Sequence, residues 1–138
     1  MNRKYLQALA EERLIDAQVL LAHGRFVAAW YLAGYVIECA LKACIAKLTK
    51  AEDFPIKDSK NTVYIHDLEK LARAARIDVA IAQVSKNDKG FEKNWAFVTA
   101  WSEESRYDNF IDQQMAQWML DAVSDPQHGV LQCIRQYW

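Results

Sequence analysis

The chain has 138 residues, enough for one domain that buries its own core without disulfide or metal staples. Hydrophobic residues make up 52%, with five Trp, six Tyr and five Phe, which excludes intrinsic disorder. The formal net charge of -1 gives no basis for a strong, non-specific grip on nucleic acid.

With four Gly and two Pro, turns are few, and long helices are favoured over many short strands. Leu6, Ala10, Leu14, Ala17 and Leu21 recur at helical spacing from about Asn2 to His23. Asn2 can cap the start of this helix, and Gly24 follows its end. A second helix is predicted from about Arg25 to Leu48. It is apolar nearly all round, as a helix packed on several sides should be, and its alanines and Gly34 keep it slim. The polar stretch from Thr49 to Val63, with Pro55, is the expected mobile segment.

A third helix is expected from near His66, with Leu68, Leu71, Ala72 and Ala75 as its apolar stripe. A short helical piece, Asp78 to Val84, follows, and Asn87 to Gly90 reads as a turn. Phe91, Trp95, Val98 and Trp101 mark a further helix ending near Ser105. After a break at Tyr107 to Asn109, Ile111, Met115, Trp118, Met119 and Ala122 continue the helical period. The stretch from Pro126 to Gly129 interrupts it, and Val130, Leu131, Ile134 and Trp138 predict a last short helix. No strand-type alternation is sustained anywhere. The expectation is one all-α domain over residues 1–138, an antiparallel, up-and-down four-helix bundle with one or two short additional helices.

Chemistry concentrates in two places. On the second helix Tyr31, Tyr35, Glu38 and Lys42 are spaced four, three and four apart, which puts them on one stripe of an otherwise apolar helix. Glu38 four residues before Lys42 is the favoured order for a helical ion pair, worth about 0.2–0.5 kcal/mol when exposed. The structural reading is that the two satisfy each other at the bundle edge. The functional reading is a polar cleft in which tyrosine rings stack a base and Lys42 meets a phosphate. The second place is Glu103-Glu104-Ser105-Arg106-Tyr107-Asp108, at the predicted helix break. Arg106 is the lone base among Glu103, Glu104, Asp108, Asp112, Asp121 and Asp125. Its planar fork suits phosphate; the alternative is an Arg neutralised by its acidic neighbours on the surface.

Other chemistries are not encoded. His23, His66 and His128 are far apart and pair with no other His or Cys at metal spacing, and His66 reads as a helix-start residue. The four glycines form no phosphate loop or dinucleotide fingerprint. Cys39, Cys44 and Cys133 include no CxxC pair; Cys39 and Cys44 sit in an apolar helical run as small hydrophobes, and a reducing cytoplasm is expected. No secretory signal pattern is visible. The longest uncharged run, Phe26 to Ile37, is too short to span a bilayer, so no membrane role is expected.

The run from Gly24 to Ala43, GRFVAAWYLAGYVIECALKA, is similar to the second helix of HEPN domains, an aromatic-Leu-x-Gly-Tyr stretch followed by Glu-x-x-Leu-Lys-Ala. His66-Asp67-Leu68-Glu69-Lys70-Leu71 resembles the family's His-x-Leu-x-x-Leu. Arg106-Tyr107 resembles the Arg-Tyr after its next helix, and the closing helix ending in Trp138 also fits. The resemblance covers nearly the whole chain in the expected order. It implies a helical bundle that often dimerises, with family roles in metal-independent RNA cleavage, nucleotide binding and pairing with small nucleotidyltransferases in toxin–antitoxin systems. Cleaving members carry Arg, four to six further residues and His; here those positions are Ile111, Asp112 and Gln113.

The resulting expectation is a non-catalytic, homodimeric binding module for a nucleotide or RNA phosphate, held by Arg106, Tyr107, Lys42, Glu38, Tyr35 and Tyr31, with no cofactor and no metal. The runner-up is a toxin-type ribonuclease using Arg106 with Asp112, Tyr107 or a residue of a partner in place of the missing His. A third reading is a protein partner of a small nucleotidyltransferase.

Overall fold

Asn2 opens α1 (Arg3–Ala22) by accepting the Tyr5 main-chain N–H at 2.8 Å, which satisfies one of the donors a helix start leaves unpaired. At the other end Gly24 takes a φ of 75°, a left-handed turn that costs glycine little. The chain reverses there into α2 (Phe26–Lys47), and the short connection makes the two long helices antiparallel neighbours.

The computed structural model describes residues 1–49, 52, 54 and 65–138. The Pro55 segment, expected to be mobile, lies almost wholly outside the described residues. Beyond it come α3 (Leu68–Ala74), α4 (Asp78–Asn87), α5 (Lys89–Thr99), a 3₁₀ turn (Glu103–Tyr107), α6 (Gln113–Ser124) and α7 (Val130–Arg135).

All of these elements are helical, as the all-α expectation requires. Among the described residues α3, α7 and the 3₁₀ turn are short, so there are more short pieces than the one or two expected. α2 is the hub. It packs against α1, α3, α6, α7 and the 3₁₀ turn, and most of its residues are buried. The fully buried alanines 29, 33, 40 and 43 let those neighbours approach closely. Among the described residues α2 is also the one helix long and apolar enough to cross a membrane, and its place as the core helix accounts for that composition.

Two local expectations are corrected. Asn87 to Gly90 is not a free turn. Asp88 ends α4 and caps α5, accepting the Phe91 N–H at 3.0 Å, so Lys89 and Gly90 already lie in a helix. The helix expected to reach Ser105 stops at Thr99. Trp101 leaves the helical path to seat in the core, and Ser102 starts the 3₁₀ turn by accepting the Glu104 N–H at 3.2 Å.

Polar ties join elements that are distant in the chain. Arg135 donates two bonds to Glu11, at 2.9 and 2.7 Å, linking α7 to α1. His128 Nδ1 donates to Asp88 at 2.8 Å, and Asn94 donates to the His128 carbonyl at 2.9 Å, pinning the loop before α7 to α5.

Candidate functional site

Gly34 has no side chain, and the indole of Trp101 fills the space beside it; a β-carbon at position 34 would overlap the ring. From that seat the indole stacks on Tyr31, with centroids 5.9 Å apart and planes at 27°. Tyr31 in turn stacks on Tyr35 at 6.2 Å and 13°. Five residues after Trp101, the tight 3₁₀ turn delivers Arg106 to the same end of α2. The Arg106 guanidinium lies over the Tyr107 ring, 4.8 Å from its centroid. Hydrogen bonding to Tyr107, and secondarily to Tyr31, holds its pKa above the ordinary arginine value.

Arg106 opens onto a cleft of about 480 Å³ at the α1–α2 turn. Arg25, Phe26, Tyr31, Asn109 and Ile111 line it as well. Its charge is unusual for a chain with more acids than bases. Among the described residues neither Arg25 nor Arg106 pairs with a carboxylate. The acids beside Arg106 in sequence do not neutralise it. Asp108 instead accepts the Phe110 N–H at 2.7 Å. Tyr107 and Phe110 flank this segment, 73% and 88% exposed, so the Phe110 ring and the Tyr107 face away from Arg106 are open to solvent.

Asp112, the other catalytic candidate, is the N-cap of α6. Its carboxylate accepts the Met115 N–H at 2.9 Å, and it does not line the cleft. The residues that line the cleft include no His, Asp, Glu, Lys or Cys, and Tyr31 is the phenol among them.

The far end of the stripe is a different cluster. Glu38 lies seven residues beyond Tyr31, about 10 Å along the helix axis. Its side chain is 1% exposed. Its Oε1 accepts from Lys42 Nζ at 2.8 Å, and both carboxylate oxygens accept from His66 Nδ1, at 2.9 and 3.0 Å. The Lys42 ammonium also sits 5.5 Å from the Phe54 ring centroid. Lys42 is thus committed to the ion pair of the structural reading. Tyr35 bridges the two clusters. Burial, and then the neighbouring Cys39 through its charge and its hydrogen bond, push its phenol pKa well up, so it stays neutral. Burial likewise pushes the Cys39 thiol up to about 12.

The structure thus brings Tyr31, Tyr35, Arg106 and Tyr107 together at one end of α2. It places Glu38 and Lys42 at the other end and Asp112 apart from both. Arg25, Asn109, Trp101 and His66 were not singled out as site residues by the sequence. Their partners lie far away along the chain, so no local spacing points to them. Among the described residues no cluster of His, Cys, Asp or Glu could hold a metal ion.

Comparison with curated proteins and comparison with solved structures each found no match. The family model for the HEPN domain matches residues 4–125, from the first turn of α1 to the end of α6, and so spans the hub helix, the cleft and the Glu38 cluster. On that match, which covers most of the chain, the protein belongs to the HEPN domain family.

Proposed function

We propose that this HEPN domain binds a phosphate group, carried by a nucleotide or an RNA strand, in the cleft between Arg25 and Arg106. One observation carries the reading: two arginines line one cleft, and neither has a carboxylate partner among the described residues. Two like charges held near each other call for an anion, and the guanidinium fork matches phosphate oxygens in pairs. The exposed rings of Tyr107 and Phe110 supply stacking faces beside the charge, an arrangement that suits bases. No His, Asp or Glu lines the cleft, so its own role in this reading is binding.

Binding of ATP, GTP and short single-stranded RNA, measured by calorimetry at low and at high salt, tests the reading. Arg106→Ala and Arg25→Ala should each weaken binding by about tenfold or more, the loss of a hydrogen bond to a charged group. Affinity should also fall as salt rises. No binding of any of these at millimolar concentration sinks the reading.

A second reading, a partner surface for another copy of the chain or for a small nucleotidyltransferase, draws on α1. Tyr5, Ile15 and Val19 are all about half exposed there, within one narrow arc of the helix. Light scattering of the purified chain and of Val19→Glu tests for the homodimer. A monomer at high concentration removes that support.

A further inference from the structure

A second depression, of about 480 Å³, lies between α5 and α6 and shares no residue with the arginine cleft. Asn94 donates to the His128 carbonyl, which ties the start of α5 to the loop after α6, so the two helices run antiparallel. α5 contributes Lys93, Asn94 and Phe97, and α6 contributes Trp118, Asp121 and Ala122. Within each set the spacing is three or four residues, so each is one face of its helix. Phe97 is fixed from behind, its ring meeting the Trp30 indole edge to face at 5.6 Å and 79°. Trp118 is 53% exposed, although an indole gains much from being covered. The charges around these rings are also unmet. Lys93 on one helix and Asp121 on the other have opposite signs, yet among the described residues neither forms an ion pair. Asp121 takes a neutral bond instead, from Gln117 at 2.9 Å.

We propose that this depression binds a small zwitterion with a large apolar body, a free amino acid such as phenylalanine being the simplest case. Its ammonium meets Asp121, its carboxylate meets Lys93, and its side chain covers the Phe97 and Trp118 rings. The charge pattern selects this class. An anion would leave the Asp121 charge unmet, a cation would leave Lys93 unmet, and a neutral apolar ligand would leave both. A ligand carrying the two signs a few ångströms apart satisfies both helices at once. The apolar body is required by the rings, because a half-exposed Trp beside a fixed Phe offers area to cover and little to hydrogen-bond. The volume falls within the range of small-ligand pockets, about 300–1,000 Å³. Since the two depressions have no residue in common, the proposal stands apart from the phosphate-binding reading.

The test titrates the purified chain, by ligand-observed NMR, with phenylalanine, phenylalanine amide, N-acetylphenylalanine, N-acetylphenylalanine amide and glycine. The amide lacks the carboxylate, the N-acetyl form lacks the ammonium, the doubly blocked form lacks both, and glycine lacks the apolar body. Phenylalanine should bind at millimolar concentration. Each singly blocked form should bind about fivefold more weakly, the upper worth of an exposed ion pair, and glycine should not bind. Lys93→Gln should abolish the preference over the amide and keep the preference over the N-acetyl form, and Asp121→Asn should do the reverse. Trp118→Ala should lose binding altogether. All three positions are exposed, and an unchanged thermal melt confirms that each variant is folded. No binding of phenylalanine overturns the proposal. Equal binding of the blocked forms, or preferences that survive in both charge variants, also overturns it. Tightest binding of the doubly blocked form, the residue as it stands inside a protein chain, overturns it in favour of a partner's side chain.

Discussion

Trp101 and Gly34 fit each other as knob and slot: the indole lies where any side chain at position 34 would have to go. The contact holds the segment that carries Arg106 against α2, and the stacked Tyr31 ring makes it continuous with the cleft. The indole Nε1–H is buried and has no acceptor among the described residues, so packing, not hydrogen bonding, fixes the ring.

Gly34→Ala should therefore be destabilising although alanine is the better helix former by about 1 kcal/mol. α2 is packed by neighbours on several sides and cannot shift away, and overpacking of this kind costs about 1–3 kcal/mol. The expected result is a lower melting midpoint together with weaker anion binding, because displacing Trp101 moves the turn that bears Arg106. A variant that is more stable and binds unchanged would mean that the indole does not position the cleft.

Lys42→Ala probes the other end of the stripe. Removing the ammonium leaves a carboxylate that is 1% exposed with the His66 hydrogen bonds as its remaining side-chain contacts among the described residues. Breaking a buried pair costs about 3–5 kcal/mol, and the retained histidine bond should keep the loss near the lower figure. Chemical denaturation measures it. The double variant Glu38→Leu, Lys42→Met should recover much of the loss, since apolar residues of similar volume need no partner. A double variant as unstable as Lys42→Ala would show that the carboxylate has a structural role beyond its charge.

Much of this arrangement is legible in the sequence where the determining contacts are local. Asn2 and Gly24 bound α1, and the spacing of Tyr31, Tyr35, Glu38 and Lys42 places them on one face before any coordinate is known. The Glu38–Lys42 pair follows from four-residue spacing alone. What escapes is non-local. Asp88 caps a helix where a turn is expected, because a cap and a turn use the same residue types. Trp101 continues the helical period of Phe91, Trp95 and Val98, and only its slot on Gly34 explains why the helix stops first. His66 precedes the Asp67 cap of α3 and reads as a helix-start residue; its partner lies 28 residues away on another helix. Arg25 and Arg106 are separated in sequence by α2 to α5, and nothing short of the tertiary structure puts them in one cleft.

The Asp88–His128 tie predicts a pH dependence of stability. The Asp88 carboxylate and, more weakly, the Asp125 charge raise the His128 pKa above 6.5, mainly through the Asp88 hydrogen bond. A raised histidine contributes its stabilisation below the unfolded value and loses it as pH rises through the folded one. Asp88 is lowered below 3.8, first by the His128 bond and then by the Phe91 N–H; its contribution is present above 3.8 and disappears as pH falls through the lowered value. The tie is therefore complete between 3.8 and 6.5 and weakens above that window. Thermal melts of the parent chain and His128→Ala should differ most at mildly acidic pH and converge in alkaline buffer. A gap that widens towards alkaline pH would contradict the assignment.

The buried thiols give a last check on the packing around α2. Burial pushes both Cys39 and Cys44 up to about 12, and Cys133, between α7 and the core, is raised for the same reason. Since the thiolate is the reactive form, these side chains are doubly protected, by access and by protonation. Native protein at mildly alkaline pH should therefore react with a thiol reagent only as fast as it opens, and all three cysteines should react readily once the chain is fully unfolded. Cys44 faces α7, its thiol 4.0 Å from the Ile134 carbonyl, so fraying of the C-terminal helix should release Cys44 and Cys133 before Cys39. Mass spectrometry of samples alkylated at rising denaturant resolves that order. Labelling of Cys39 first would mean that α2 separates from α1 before α7 leaves the core.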